Sequence, residues 1–316
     1  MSFLYFLEGL RNPVLDAVFS FITLFGEETL FMVIGMVFFW CVNKYEGYYL
    51  LSTGFVGTMI NQFLKMCFRI PRPWVKDPNF TIVESAREAA TGYSFPSGHT
   101  QTSVGLFGGI ARWNKNKIMR IIGIVLCVLV PLSRMYLGVH TPADVLVSTA
   151  IALVLIFVGY PLFMKAIESP KMMYTILCSL TVIMAAYLTF IMCYQFPEEV
   201  YHVDNVHNLI SARKNGFTLM GCALGFLVVY TVDLKWTKFD TKAVWWAQMI
   251  KIVGGLVLVV ATKELLKLPL NAIMPAAEDT WARLIRYFMI AIVGGVLWPM
   301  TFKFFSKLGN KKEAED

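Results

Sequence analysis

The sequence predicts an all-α fold, a polytopic transmembrane helical bundle, on three observations: its composition, a succession of long apolar stretches, and basic residues that collect in alternate connections. Of 316 residues 57% are hydrophobic and only 16% charged, and the mean hydropathy is +0.61. Soluble domains carry roughly 25% charged residues. The net charge of +7 does not read as nucleic-acid binding, because no basic patch interleaved with aromatics runs along the chain. Anionic phospholipid is the expected counter-charge.

A crossing helix needs about 20 mostly apolar residues. Candidate spans lie near 28–44, 47–68, 98–113, 118–137, 143–164, 172–194, 216–234, 244–265 and 281–303. Residues 13–25 add a short helix that reads either as a further span or as an interfacial segment. The 98–113 stretch holds Thr102, Ser103, Gly105 and Gly109, residues that suit burial among helices, and the two glycines are spaced for close helix packing. Connections are short except 69–97 and 195–215, and long connections are where function concentrates.

Orientation follows from the short connections. One side collects Lys44, the "RWNKNKIMR" turn, Lys165, Lys171, Lys235, Lys238, Lys242, Lys303, Lys307, Lys311 and Lys312, and is expected to be cytoplasmic together with both termini. The other side carries "PEEVYHVD" and "AAEDTW", with Arg69, Lys76, Arg87, Arg213, Lys214, Arg283 and Arg286 moderating the contrast. The N-terminus lacks a basic segment followed by an apolar run and a cleavage site, so no signal peptide is expected. Six scattered cysteines with no C-x-x-C spacing read as small core residues.

Three stretches on the outer side carry chemistry. In "KMCFRIPRP", Lys65 sits in the last turn of a span, and Ile70-Pro71 disfavours further helix, so Arg72 turns back toward Lys65. A lone cation there would read as a snorkelling anchor. In "FPSGHT", Ser97 is a good N-cap, Gly98 lets a ligand approach, and the free N–H groups of the following turn suit an anion.

In "SRMYLGVHTPAD", Thr141, Pro142 and Asp144 fit a capping box, which leaves Arg134 and His140 unexplained. His140 and Asp144 stand four apart, so the carboxylate can hold one imidazole nitrogen and expose the other as a nucleophile. Fixed cations and backbone N–H groups are what stabilise a phosphoryl group in transfer. Lys65, Arg72, Arg134, Ser97 and Gly98 supply them, and His99 can donate a proton to the leaving oxygen.

Lys65 to Pro73, Pro96 to His99 and Ser133 to Asp144, in this order and spacing, together resemble the three-part signature of the type-2 phosphatidic acid phosphatase superfamily. The resemblance covers residues 13–165 and implies a metal-independent phosphatase that works through a phosphohistidine, with no cofactor. It assigns Lys65, Arg72, Ser97, Gly98, His99 and Arg134 to phosphate binding, His99 also to leaving-group protonation, His140 to attack and Asp144 to orienting it. It also implies a six-helix core.

The expected organisation is therefore a catalytic membrane domain, 1–165, followed by about four further transmembrane helices, 166–316, that carry no readable motif. They could line a lipid entry, serve a homodimer surface or thicken the bundle. The expected partner is a phosphorylated lipid in the bilayer: an isoprenoid diphosphate, a phosphatidate relative or a sphingoid-base phosphate. A lipid phosphotransferase with an alcohol acceptor shares all these residues, whereas a non-enzymatic transporter would not need them. His202 and His207, near Glu198, Glu199 and Asp204, are metal-ligand types, but the chemistry above needs no ion.

Overall fold

The computed structural model describes residues 1–193, 203–274 and 280–308. Among these the regular structure is helical, without strands. Lys117–Tyr136, Pro142–Glu168, Pro170–Cys193, Val206–Thr237 and Trp281–Phe305 are long and apolar enough to cross a membrane. Pro13–Gly26 and Glu28–Val42, bent by 49° across Glu27, pass the same test as one broken span. The short 13–25 stretch thus finds its continuation in the next helix.

The other stretches read as spans depart from that standard for visible reasons. The helix Lys44–Phe68 is long enough but carries Glu46, Thr53, Asn61 and Lys65, all buried in protein. Trp245–Ile273 is interrupted by Lys251, Lys263, Glu264 and Lys267. The run Gly98–Trp113, which holds a π turn at Val104–Gly108, is short of a full crossing and its first half is buried on all sides.

Close helix approach does not fall at the predicted Gly105, where an added Cβ would make ordinary contact with Thr53 at 3.5 Å. It falls at Gly47, Gly221 and Gly123, where an added Cβ would run into Phe39 Cα, the Leu284 carbonyl oxygen and, at 2.8 Å, the Phe107 carbonyl oxygen.

Residues 203–215, expected as part of a long connection, instead open the helix Val203–Val232. Charged residues there lower the local hydropathy without breaking the helical pattern. His202, Glu198 and Glu199 lie outside the described residues. All six cysteines are free, and Cys67, Cys178 and Cys193 are exposed rather than in the core.

Packing forms two compact units: Met1–Met32 with Ser52–Phe163 and Phe196–Ala212, and Val33–Leu51 with Met164–Gln195 and Arg213–Asp316. In the first, the connection 69–97 is folded onto the turn after Tyr136: Val83 N–H donates to the Leu137 carbonyl at 3.1 Å, and Ala86 packs with Tyr136, Leu137 and Val139. Arg11 ties the N-terminus to both, donating to the Tyr136 and Thr81 carbonyls at 3.1 and 2.9 Å. In the second, buried Trp40 donates its indole N–H to the Gly294 carbonyl at 2.9 Å.

Candidate active site

The turn from Ser133 to Asp144 is built from two complete helix caps. Gly138 at φ +83° donates to the Met135 carbonyl, and Val139 to the Arg134 carbonyl, the paired bonds that close a helix C-terminus around a left-handed glycine. A Cβ on Gly138 would lie 2.7 Å from Arg11 Nη2, so the position is closed by conformation and by space. Two residues on, Thr141 and Asp144 form the predicted capping box of the helix Pro142–Val154. His140 stands between the caps, fixed by backbone on both sides.

His140 and Asp144 are each 1% exposed. His140 Nδ1 lies 3.3 Å from Asp144 Oδ2, and the Arg72 guanidinium Nη1 lies 2.9 Å from His140 Nε2. An arginine can only donate, so Nε2 is the acceptor and the proton sits on Nδ1, facing the carboxylate. The lone pair of Nε2 therefore points to the cationic side. Asp144 Oδ2 also accepts from Ser94 Oγ at 2.5 Å and from the Thr141 N–H at 2.8 Å. Burial first, and the Arg72 charge second, hold the His140 imidazole well below its ordinary 6.5.

The three predicted cations are all buried. Arg72 donates to the Thr91, Gly92 and Val139 carbonyls at 2.7, 3.1 and 2.9 Å; burial draws it down to about 10, against the pull of the Asp144 carboxylate, so it stays charged near neutrality. Lys65 Nζ donates to the Tyr93 carbonyl. Arg134, 1% exposed, donates one bond, Nη1 to Thr23 Oγ1 at 2.8 Å. Its Nε and Nη2 are buried with no partner among the described residues.

Ser97 caps the helix at Gly98–Ser103, accepting from the Thr100 N–H at 3.4 Å; the hydroxyl keeps its own proton to donate. Its N–H donates to the Asp144 carbonyl at 3.2 Å, which joins this helix start to the dyad. Beside Gly98 the space is open, with nothing within 4 Å of an added Cβ. His99 Nε2 lies 3.4 Å from Glu27 Oε1.

The predicted residues thus meet in one unit. Thr23, Glu27 and Ser94, and the carbonyls of Thr91, Gly92 and Tyr93, join them without having been foreseen; a carboxylate before an apolar run was the available signal for Glu27. Among the described residues no three His, Cys, Asp or Glu side chains gather as a metal site would require.

A histidine–carboxylate dyad in contact with one buried arginine, with two further buried cations in the same unit of a chain of apolar helices, suits an integral membrane enzyme that works on a phosphate group. Residues 45–168 match the PAP2 superfamily, and residues 217–312 match the PAP2 superfamily phosphatase transmembrane extension. The chain belongs to the PAP2 superfamily and is a phosphatase.

It is 28% identical over 152 residues to an undecaprenyl-diphosphatase of Bacillus subtilis, covering 48% of this chain and 76% of the relative. It is 29% identical over 161 residues to the phosphatidylglycerophosphatase B of the same organism, covering 47% and 75%. Human sphingosine-1-phosphate phosphatase 2 is 26% identical over 231 residues, covering 71% of this chain and 53% of the relative, so the chain spans about half of that protein's length. No solved structure gives a significant match.

Proposed function

We propose that the protein hydrolyses a lipid phosphomonoester or diphosphate through a phosphohistidine, without a metal ion, from the extracytoplasmic face. The observation that carries this is Arg134: a guanidinium 1% exposed, with Nε and Nη2 unpartnered, in the same unit as an imidazole whose Nε2 lone pair faces another arginine. A buried cation with unused donors is costly unless an anion takes them. The relatives named above act on polyprenyl, glycerol and sphingoid phosphates by their names, which supports a lipid carrying the phosphate. The Lys and Arg bias of the connections supports the facing.

In this reading a phosphate oxygen takes over Arg72 from His140, freeing Nε2 to attack phosphorus. Asp144 holds the Nδ1–H and stabilises the charge that forms on the ring. Arg72, Arg134, Lys65, the Ser97 hydroxyl and the Gly98 amide meet the equatorial oxygens. His99 protonates the leaving oxygen, which departs as an alcohol from a monoester or as a lipid monophosphate from a diphosphate, then takes a proton from the water that breaks the P–N bond.

The test is phosphate release by the purified protein from isoprenoid diphosphate, phosphatidate and sphingoid-base phosphate in detergent, with EDTA present throughout. Wild type releases phosphate from at least one, and His140→Ala loses it by about 10⁴-fold or more. Equal release by the two proteins, or a strict need for added metal, overturns the proposal.

A further inference from the structure

Glu27 has no place in the assignments above, yet it faces the proton donor. It occupies the corner between Pro13–Gly26 and Glu28–Val42 with extended backbone, φ −67° and ψ 135°, and its own N–H and C=O are both spent in the adjoining turns, on Leu24 and Phe31. The carboxylate is thereby aimed by a rigid corner. Gly26 presses that corner onto the site: its added Cβ would lie 2.9 Å from His99 Cβ and 3.0 Å from the His99 carbonyl. Glu27 is 38% exposed at the side chain and His99 15%, so water reaches the pair from the Glu27 side.

A carboxylate only accepts, so the Nε2 that lies 3.4 Å from Glu27 Oε1 carries a hydrogen. Nδ1 is left for the substrate. To act as an acid His99 must hold a second proton there, as an imidazolium. The charges facing it are Arg134 and Arg72 as cations and Glu27 as the carboxylate, and it sits in the first turn of a helix, where the dipole also disfavours a positive ring. Glu27 is the group that opposes them; burial and the two arginines still outweigh it, so the second proton also needs the negative charge of a bound phosphate.

We propose that Glu27 is a positioning residue that holds the His99 ring by Nε2–H and, together with the bound phosphate, lets Nδ1 carry a proton turned toward the leaving oxygen; the inference rests on the phosphatase reading. As the P–N bond to His140 forms and the P–O bond to the leaving group breaks, the Nδ1 proton goes to that oxygen and releases an alcohol. His99 is left neutral with Nε2–H on Glu27. The water that later attacks phosphorus returns a proton to Nδ1, restoring the ion pair.

The experiment compares Glu27→Gln and Glu27→Asp with wild type on two substrates, an alkyl phosphate and p-nitrophenyl phosphate, whose phenolate leaves without needing a proton. Glu27→Gln is expected to lower kcat/KM about 100-fold on the alkyl ester and under about 3-fold on the aryl ester. The alkaline limb of its alkyl-ester profile moves to lower pH. Glu27→Asp shows the same split at smaller size, which keeps the test in force if the glutamine variant folds poorly. Equal losses on both esters with an unmoved alkaline limb overturn the role of Glu27, whereas a wild type inactive on both esters overturns the phosphatase reading itself.

Discussion

Cations inside the protein are treated in two ways, one shown by Lys44 and Lys251 of the second unit and the other by Arg134 of the first. In the second unit, Lys44 lies 3.0 Å from the Asp233 carboxylate, which Tyr48 also reaches at 3.3 Å. Lys251, fully buried, donates to the Thr241 carbonyl at 2.9 Å and stands 4.2 Å from the centre of the Phe302 ring. In the first, Lys65 and Arg72 spend their bonds mainly on backbone carbonyls, and Arg134 keeps two donors unspent. Lys44 and Lys251 have their donors met where they sit; Arg134, and in the second unit the Nε of Arg286, do not among the described residues, and of these two only Arg134 shares a unit with the His140–Asp144 dyad.

The sharpest way to break this contrast is Arg134→Met. Transition-state stabilisation should fall by about 3 to 4 kcal/mol, a few hundredfold in kcat/KM, while the melting temperature holds or rises, because an unpaired buried charge has gone. A parallel loss of folding would place Arg134 with the structural charges. Asp233→Asn is the reverse case. It leaves Lys44 with only the Phe239 carbonyl and ring and should cost about 1 to 2 kcal/mol of stability in thermal or denaturant unfolding, with kcat of the folded fraction within about twofold of wild type.

Orthovanadate sharpens the comparison without a mutation at the dyad. It mimics five-coordinate phosphorus, and at 100 times its Kd should stabilise the wild type by about 2.7 kcal/mol and Arg134→Met far less. The pH dependence should follow the depressed His140. A histidine held below its ordinary value stays neutral, and so nucleophilic, to lower pH, and the acid limb of kcat/KM that belongs to it is expected below pH 6.5. A limb that His140 sets above 6.5 would mean that Asp144 outweighs burial and Arg72. Smallest is Gly138→Ala, which forces a Cβ into φ +83° and should cost about 1 to 2 kcal/mol, read as a lower unfolding midpoint.

Legibility in the sequence tracks contact distance along the chain. The capping box and the His140–Asp144 pair lie within one helical turn, so spacing alone suggests them. Lys65, Arg72, Ser97, His99 and Arg134 could be proposed because each sits at a span end, where a polar residue needs a reason. Thr23 carried no signal, and Glu27 only that of a carboxylate before an apolar run, because each matters through one partner far along the chain: Thr23 reaches Arg134 and Glu27 reaches His99.

Hydropathy misjudged the helices that protein rather than lipid surrounds. Glu46, Asn61 and Lys65 are buried, and a window average takes such residues as contact with water. The same limit made a connection of residues 203–215, whose charges obscure a helix.

The double cap around His140 bears on how the enzyme comes into being. Neighbouring peptide groups place the His140 backbone and Asp144 lies within the same turn, so the residue proposed as nucleophile is set as soon as two successive helices insert as a hairpin, whereas Lys65 and Arg72 come from a separate part of the chain. A nascent chain thus carries a well-aimed but powerless ring, and reactivity toward phosphate esters switches on with the last packing step.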